Sequence, residues 1–164
     1  MKEAFLSTGG NMGDRKRFLL EAKKAIEKQC GLVLDQSSIY ETAAWGKEDQ
    51  EAFLNQVLKI ETHLTAEQLL QTILKIEVAL GRKRDLKYGP RYIDIDILFF
   101  GDEVVNLPGL HIPHPQIQDR RFVLEPLNEI AGNKIHPVLQ KNISQILDEC
   151  NDRLAVNKII DDLR

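Results

Sequence analysis

Hydrophobic and polar positions divide the chain into segments of two periods. Residues 3–8 read as a short strand that enters a glycine-rich turn, "TGGNMGD". A period near 3.6 follows over 14–29, with Phe18, Ala22, Ala25, Ile26 and Gln29 along one side of a helix. Alternation over 32–41 predicts a strand, residues 43–52 a polar, mobile loop, and residues 53–62 a further strand. "TAEQ" supplies a capping box at Thr65 and Gln68, which opens a helix that stops at Gly81. A basic loop, 81–92, precedes a strand over 93–100. The order β-α-β-β-α-β predicts an α+β, ferredoxin-like sheet with helices packed on one face. Pro108, Pro113, Pro115 and Pro126 then break the chain into short pieces, with helices near 125–131 and 143–150 as a helical C-terminal extension. The last dozen residues carry no pattern that assigns them to an element.

Two positions break the pattern. In "GPRYIDIDILFFG", Asp94 and Asp96 share one face of a strand, while Ile93, Ile95, Ile97 and Phe99 take the other. Their Cα atoms should lie about 7 Å apart. Aspartate is disfavoured in strands, and like charges in a half-buried place need compensation. Solvated carboxylates on an edge strand, or salt bridges to arginines, would satisfy that need. So would a magnesium site, because hard cations take oxygen ligands and substrate phosphates complete the shell. The second break is Glu77, which falls inside the stripe of Ala66, Leu69, Leu70, Ile73, Ile76 and Leu80. A carboxylate there requires a partner, either a loop arginine or a bound group.

The loop before the aspartates changes the balance. "GRKRDLKYGPR" sets Arg82, Lys83, Arg84, Lys87 and Arg91 around one acid, Asp85, between Gly81 and Gly89. Guanidinium forks beside a carboxylate pair suit a metal–triphosphate complex. Elsewhere the signals are weaker. Phe53 and Asn55 share a face at a strand start, and Phe122 follows Arg120 and Arg121 in a second basic stretch. "HIPHP" places His111 and His114 beside prolines that stiffen a loop, whereas His63 and His136 read as incidental. No Walker or dinucleotide-binding glycine motif is present.

Composition adds boundaries. With 164 residues, 43% hydrophobic and a net charge of −3, the chain suits one globular domain, 1–164. The charge gives no reason to expect nucleic acid or an anionic membrane. Cys30 and Cys150 form no metal spacing and suit a reducing compartment. The expectation is a soluble, cytoplasmic monomer.

Taken together, "TGGNMGDR", "FLNQVLKIET", "IEVALGRKR", "YGPRYIDIDILFFG", "IPHP" and "RRFVLEPLNEIA" closely resemble, in order and spacing, the 6-hydroxymethyl-7,8-dihydropterin pyrophosphokinases of folate biosynthesis. The likeness spans about residues 1–131. It implies transfer of pyrophosphate from MgATP to the pterin hydroxymethyl, with AMP as the other product. Position by position, it implies that Asp94 and Asp96 bind two magnesium ions and that Arg82, Arg84 and Arg91 bind the triphosphate. It also assigns nucleotide or phosphate contacts to His114 and Arg120, and the expected nucleotide site takes in Glu77 and Tyr88 as well. Phe53 and Phe122 would sandwich the pterin, with Asn55 and backbone near Thr42 and Trp45 on its polar edge. Gly10 stands where serine is usual and Tyr88 where some members carry tryptophan. Leu74 and Gly109 occupy places where some members have polar side chains near the nucleotide. Two other readings share part of the pattern. An RNA-recognition module has the same element order but would need an aromatic sheet motif that is missing here. A nucleotidyltransferase would also use a carboxylate pair.

Overall fold

A computed structural model describes residues 1–43, 51–81 and 92–159. The elements are β1 (Lys2–Gly10), α1 (Arg15–Gln29), β2 (Leu32–Gln36), β3 (Tyr40–Thr42), β4 (Phe53–Thr62), α2 (Ala66–Ala79) and β5 (Asp94–Phe100). They continue with β6 (Val105–Leu107), β7 (Leu110–Ile112), α3 (Arg121–Ala131), α4 (Ile143–Glu149) and β8 (Val156–Lys158). The main sheet runs β5-β1-β4-β3-β8, with β2 also on β4, and every pairing is antiparallel. It is a mixed α/β arrangement of an antiparallel sheet and helices.

Local chemistry accounts for the helix starts. Asp14 accepts the Arg17 N–H at α1, and Thr65 and Gln68 form the expected capping box at α2. On α1 the buried stripe is Leu19, Ala22 and Ile26; Gln29 is exposed, and Cys30 is buried just beyond the helix. Phe18 lies at the margin of the stripe, against the Tyr92 ring.

The expected strand at 32–41 is two strands. Between them the Ser37 N–H donates to Val57 O, and its hydroxyl accepts the Val57 N–H at 2.9 Å. A side chain thus takes over one rung of the ladder, and the chain kinks without leaving a buried amide unpaired. β1 runs on through Gly9 and Gly10, which the sequence reading placed in a turn. The helix expected at 125–131 begins at Arg121, so Pro126 lies within α3. A sixth strand joins the sheet from the unassigned C-terminal stretch, where β8 pairs with β3.

Two apolar layers enclose the sheet. Leu6, Leu58, Ile60, Ile95 and Ile97 pack against α1 and α2. Phe5, Val57, Leu98 and Phe99 face the C-terminal helices α3 and α4, so that extension covers the second face. Strict alternation put Phe99 with the isoleucines, and the structure corrects this. The β1–β5 register shifts between Phe5 and Leu6, which pair with Phe99 and Ile97, and the extra residue, Leu98, moves Phe99 to the other face. His136 is not incidental either. It is buried against the Phe99 ring, and its Nδ1 accepts the Val138 and Leu139 N–H groups, each at 3.1 Å.

Candidate active site on the polar sheet face

The site is assembled by register. Gly9 of β1 lies opposite Asp94 on one side and Asn55 on the other; Ser7 lies opposite Asp96. Asn55 in turn faces Tyr40, and Phe53 faces Thr42. Directly opposed residues share a face. Thr42, Phe53, Asn55, Asp94 and Asp96, drawn from three strands, therefore line the same face of the sheet. Asp94 is half-buried and Asp96 is exposed.

Glycine is required at the centre of this row. A Cβ on Gly9 would run into Asn55 Oδ1 and stand 2.9 Å from Leu54 O. Gly9 thus serves close packing between strands, within β1 rather than in a turn.

Two donors in the row lack partners. Thr42 Oγ1 and Asn55 Nδ2 are buried, in residues only 4% and 6% exposed, and neither has a hydrogen-bond partner among the described residues. An unmet buried polar group costs about 1–3 kcal/mol. A flat ligand with acceptors and donors on its edge would meet that demand. Sequence reading gave Thr42 only a backbone role and missed its hydroxyl, because orphaned donors are visible only once burial is known.

The rim is braced. Arg15 Nη1 donates to Glu41 Oε2 at 2.9 Å and to Ala52 O at 2.8 Å, and Asn11 Nδ2 donates to Glu51 O at 3.0 Å. These bonds tie together the two segments that carry Thr42 and Phe53. Phe122, at the start of α3, is half-buried, with the Arg120 guanidinium 5.6 Å from its ring centre. Arg120 also bonds to Gln116 Oε1.

His114 joins the aspartate side. Its backbone N–H donates to Leu98 O, and its Nδ1 accepts the Gln116 N–H at 3.1 Å, which leaves Nε2 to carry the neutral ring's proton. Burial pushes its pKa down, Asp96 opposes that and Arg120 reinforces it.

Glu77 is 2% exposed, as the helical stripe required. Its Oε2 accepts the Ile95 N–H at 2.7 Å, between the two aspartates on edge strand β5. The structure thus supplies a backbone partner that neither sequence reading considered. Arg82, Arg84, Tyr88, Arg91 and Trp45 lie outside the described residues. No group of three or more metal-ligating side chains occurs among the described residues, so the carboxylate donors here are the pair on β5. A hollow of about 340 Å³ lined by Gln118, Lys141, Glu149 and Asp152 lies beside α4, apart from the polar row.

Comparison with known proteins supplies the context. Residues 5–132 match the family described as 7,8-dihydro-6-hydroxymethylpterin-pyrophosphokinase (HPPK). The chain belongs to that family. A 2-amino-4-hydroxy-6-hydroxymethyldihydropteridine pyrophosphokinase of Aquifex aeolicus is 43% identical over 150 residues, covering 91% of this chain and 92% of that protein. The Bacillus subtilis protein of the same name is 41% identical over 129 residues, 78% of this chain and 77% of its own. A Plasmodium falciparum HPPK-DHPS crystal structure superposes with a TM-score of 0.74 at 18% identity, over 91% of this chain and 43% of that one, and shares the fold. The polar row and its orphaned donors therefore lie within the part of the chain that the family covers.

Proposed function

We propose that the family's reaction takes place on the polar sheet face, with the pterin on the Thr42–Phe53–Asn55 side and the triphosphate on the Asp94–Asp96 side. The reaction itself follows from family membership: pyrophosphoryl transfer from ATP to 6-hydroxymethyl-7,8-dihydropterin in folate synthesis. The observation that carries the assignment of places is the pair of buried, unpartnered donors, Thr42 Oγ1 and Asn55 Nδ2. A pterin presents ring nitrogens and a carbonyl along one edge, which such donors can bind. Half-buried Phe53 and Phe122 offer ring faces for stacking. Trp45 is assigned to the same pocket.

Asp94 and Asp96 offer hard oxygen donors side by side on one rigid strand, a set that fits Mg²⁺. When bound there, the two magnesium ions of our reading supply charge neutralisation to the triphosphate oxygens. Glu77 holds the strand between those carboxylates through Ile95 N–H, which fixes the spacing that the nucleotide meets. Arg82, Arg84 and Arg91, with Tyr88, Arg120 and a neutral His114 donating through Nε2, bind the phosphates. Positioned this way, the pterin oxygen attacks the β-phosphorus in line, the bond to the α-phosphate oxygen breaks, and AMP departs. We read the core as ferredoxin-like and the active unit as a monomer.

The test separates place from reaction. Thr42→Val should leave AMP and pterin diphosphate as the paired products and raise the pterin KM by about tenfold, with the ATP KM unchanged. An unchanged pterin KM would move the pterin away from this row.

A further inference from the structure

From the contacts of α3 we infer that Glu129 is a positioning residue for pterin recognition: it sets the height of the helix that carries Phe122 above the strand that carries Thr42. The inference rests on the pterin lying between Phe53 and Phe122.

The geometry is a three-donor clasp. Glu129 Oε1 accepts the Tyr40 hydroxyl at 2.7 Å and the Ser38 N–H at 3.0 Å, and Oε2 accepts the Ser38 hydroxyl at 2.9 Å. All three donors come from β3 or the residues leading into it, while Glu129 lies seven positions along α3 from Phe122. Tyr40 is buried on the polar face directly opposite Asn55, two residues before Thr42. One carboxylate therefore ties the helix wall of the slot to the sheet wall.

The chemistry demands an ionised acid. Three donors converge on two oxygens, and a carboxylate accepts on both. An amide would turn one N–H towards a donor. The surroundings agree: burial pushes Glu129 up, but the Tyr40 and Ser38 hydrogen bonds and nearby Lys158 outweigh it and hold the acid below its ordinary range. Lys158 of β8 lies 6.0 Å from the Tyr40 ring centre, so the C-terminal strand closes the far side of the clasp. Neither Asp94 nor Asp96 takes part. A stacking slot is sensitive to such a tie, because a flat ring between two aromatic faces fixes their separation to within a fraction of an ångström.

The experiment compares Glu129→Gln, Tyr40→Phe and Phe122→Ala in steady-state kinetics with both substrates and in melting curves. Glu129→Gln should raise the pterin KM roughly tenfold while the ATP KM stays within about twofold. Tyr40→Phe, which removes one donor of three, should fall between it and the parent even if Glu129→Gln folds poorly. A lower melting temperature with an unchanged pterin KM would reduce Glu129 to a fold contact and overturn the inference. An equal rise in both KM values would do the same. Phe122→Ala decides the underlying reading separately. If it weakens pterin and Glu129→Gln does not, the clasp alone is wrong. An unchanged pterin KM in Phe122→Ala removes the slot on which the inference stands.

Discussion

The two faces of the sheet at β1 and β5 are built to different ends. Towards α1 and α2, Ile93 and, from β5, Ile95 and Ile97 join Leu69, Ile73 and Ile76, all buried and apolar. Towards the other side, the same strand presents Asp94 and Asp96, beside a row that holds two donors without partners. Burial of matched apolar groups stabilises the fold by itself, whereas buried donors without partners cost stability until a ligand meets them. One face is therefore closed by apolar packing, whereas the other keeps, beside its own apolar layer, a polar row that our proposal gives to the substrates. The chain tolerates the second because the first supplies the stability.

The largest effect that separates the faces should come from the carboxylates. Asp94→Asn or Asp96→Asn should lower turnover by at least about 10²–10³-fold, with a melting temperature unchanged or raised, since one of two like charges is removed. Activity in magnesium buffer equal to the parent would erase the distinction between the faces. The opposite response is expected from the apolar side. Ile73→Ala should cost about 2–5 kcal/mol. For a 3 kcal/mol loss in a chain of this size, the melting temperature falls by about 6–12 °C. The folded fraction should keep its KM values for both substrates, and a selective rise in one of them would show that the two faces are coupled.

A smaller effect tests the packing at the far end of the second face. His136 is held neutral: burial and then Lys134 push its pKa down, against the pull of a backbone hydrogen bond. The folded state thus binds its proton less readily than the unfolded chain. Stability from this site is full above the unfolded value of about 6.5 and is lost as pH falls towards the depressed folded value. His136→Asn keeps an acceptor for the Val138 and Leu139 N–H groups but cannot titrate. Its melting temperature should fall less steeply than the parent's between pH 7 and 5.5. Parallel slopes would remove His136 from the account.

Local rules legible in the sequence survived folding where they depended on near neighbours. The capping box at Thr65 and Gln68, strand β4 at Phe53–Thr62 and the buried placement of Glu77 are all set by residues within a few positions. The same holds for the shared face of Asp94 and Asp96, since two residues on one strand need only its period. The first clue to the site lay there, in carboxylates that a strand should not carry.

Register and burial needed the tertiary structure. No local pattern reveals that Gly9 makes room for Asn55, that Leu98 is the extra residue which turns Phe99 over, or that Glu129 finds Ser38 and Tyr40 about ninety residues away. Each depends on which strands or helices meet, and that is settled by the summed burial of many side chains. The orphaned donors of Thr42 and Asn55 are the plainest case, because a hydroxyl or amide is unmet only with respect to everything packed around it. By itself the sequence determined the period of each segment and the chemical oddity of the aspartate strand. The packing of distant elements alone decided which polar groups face one another and which, like Thr42 Oγ1 and Asn55 Nδ2, are left without a partner among the described residues.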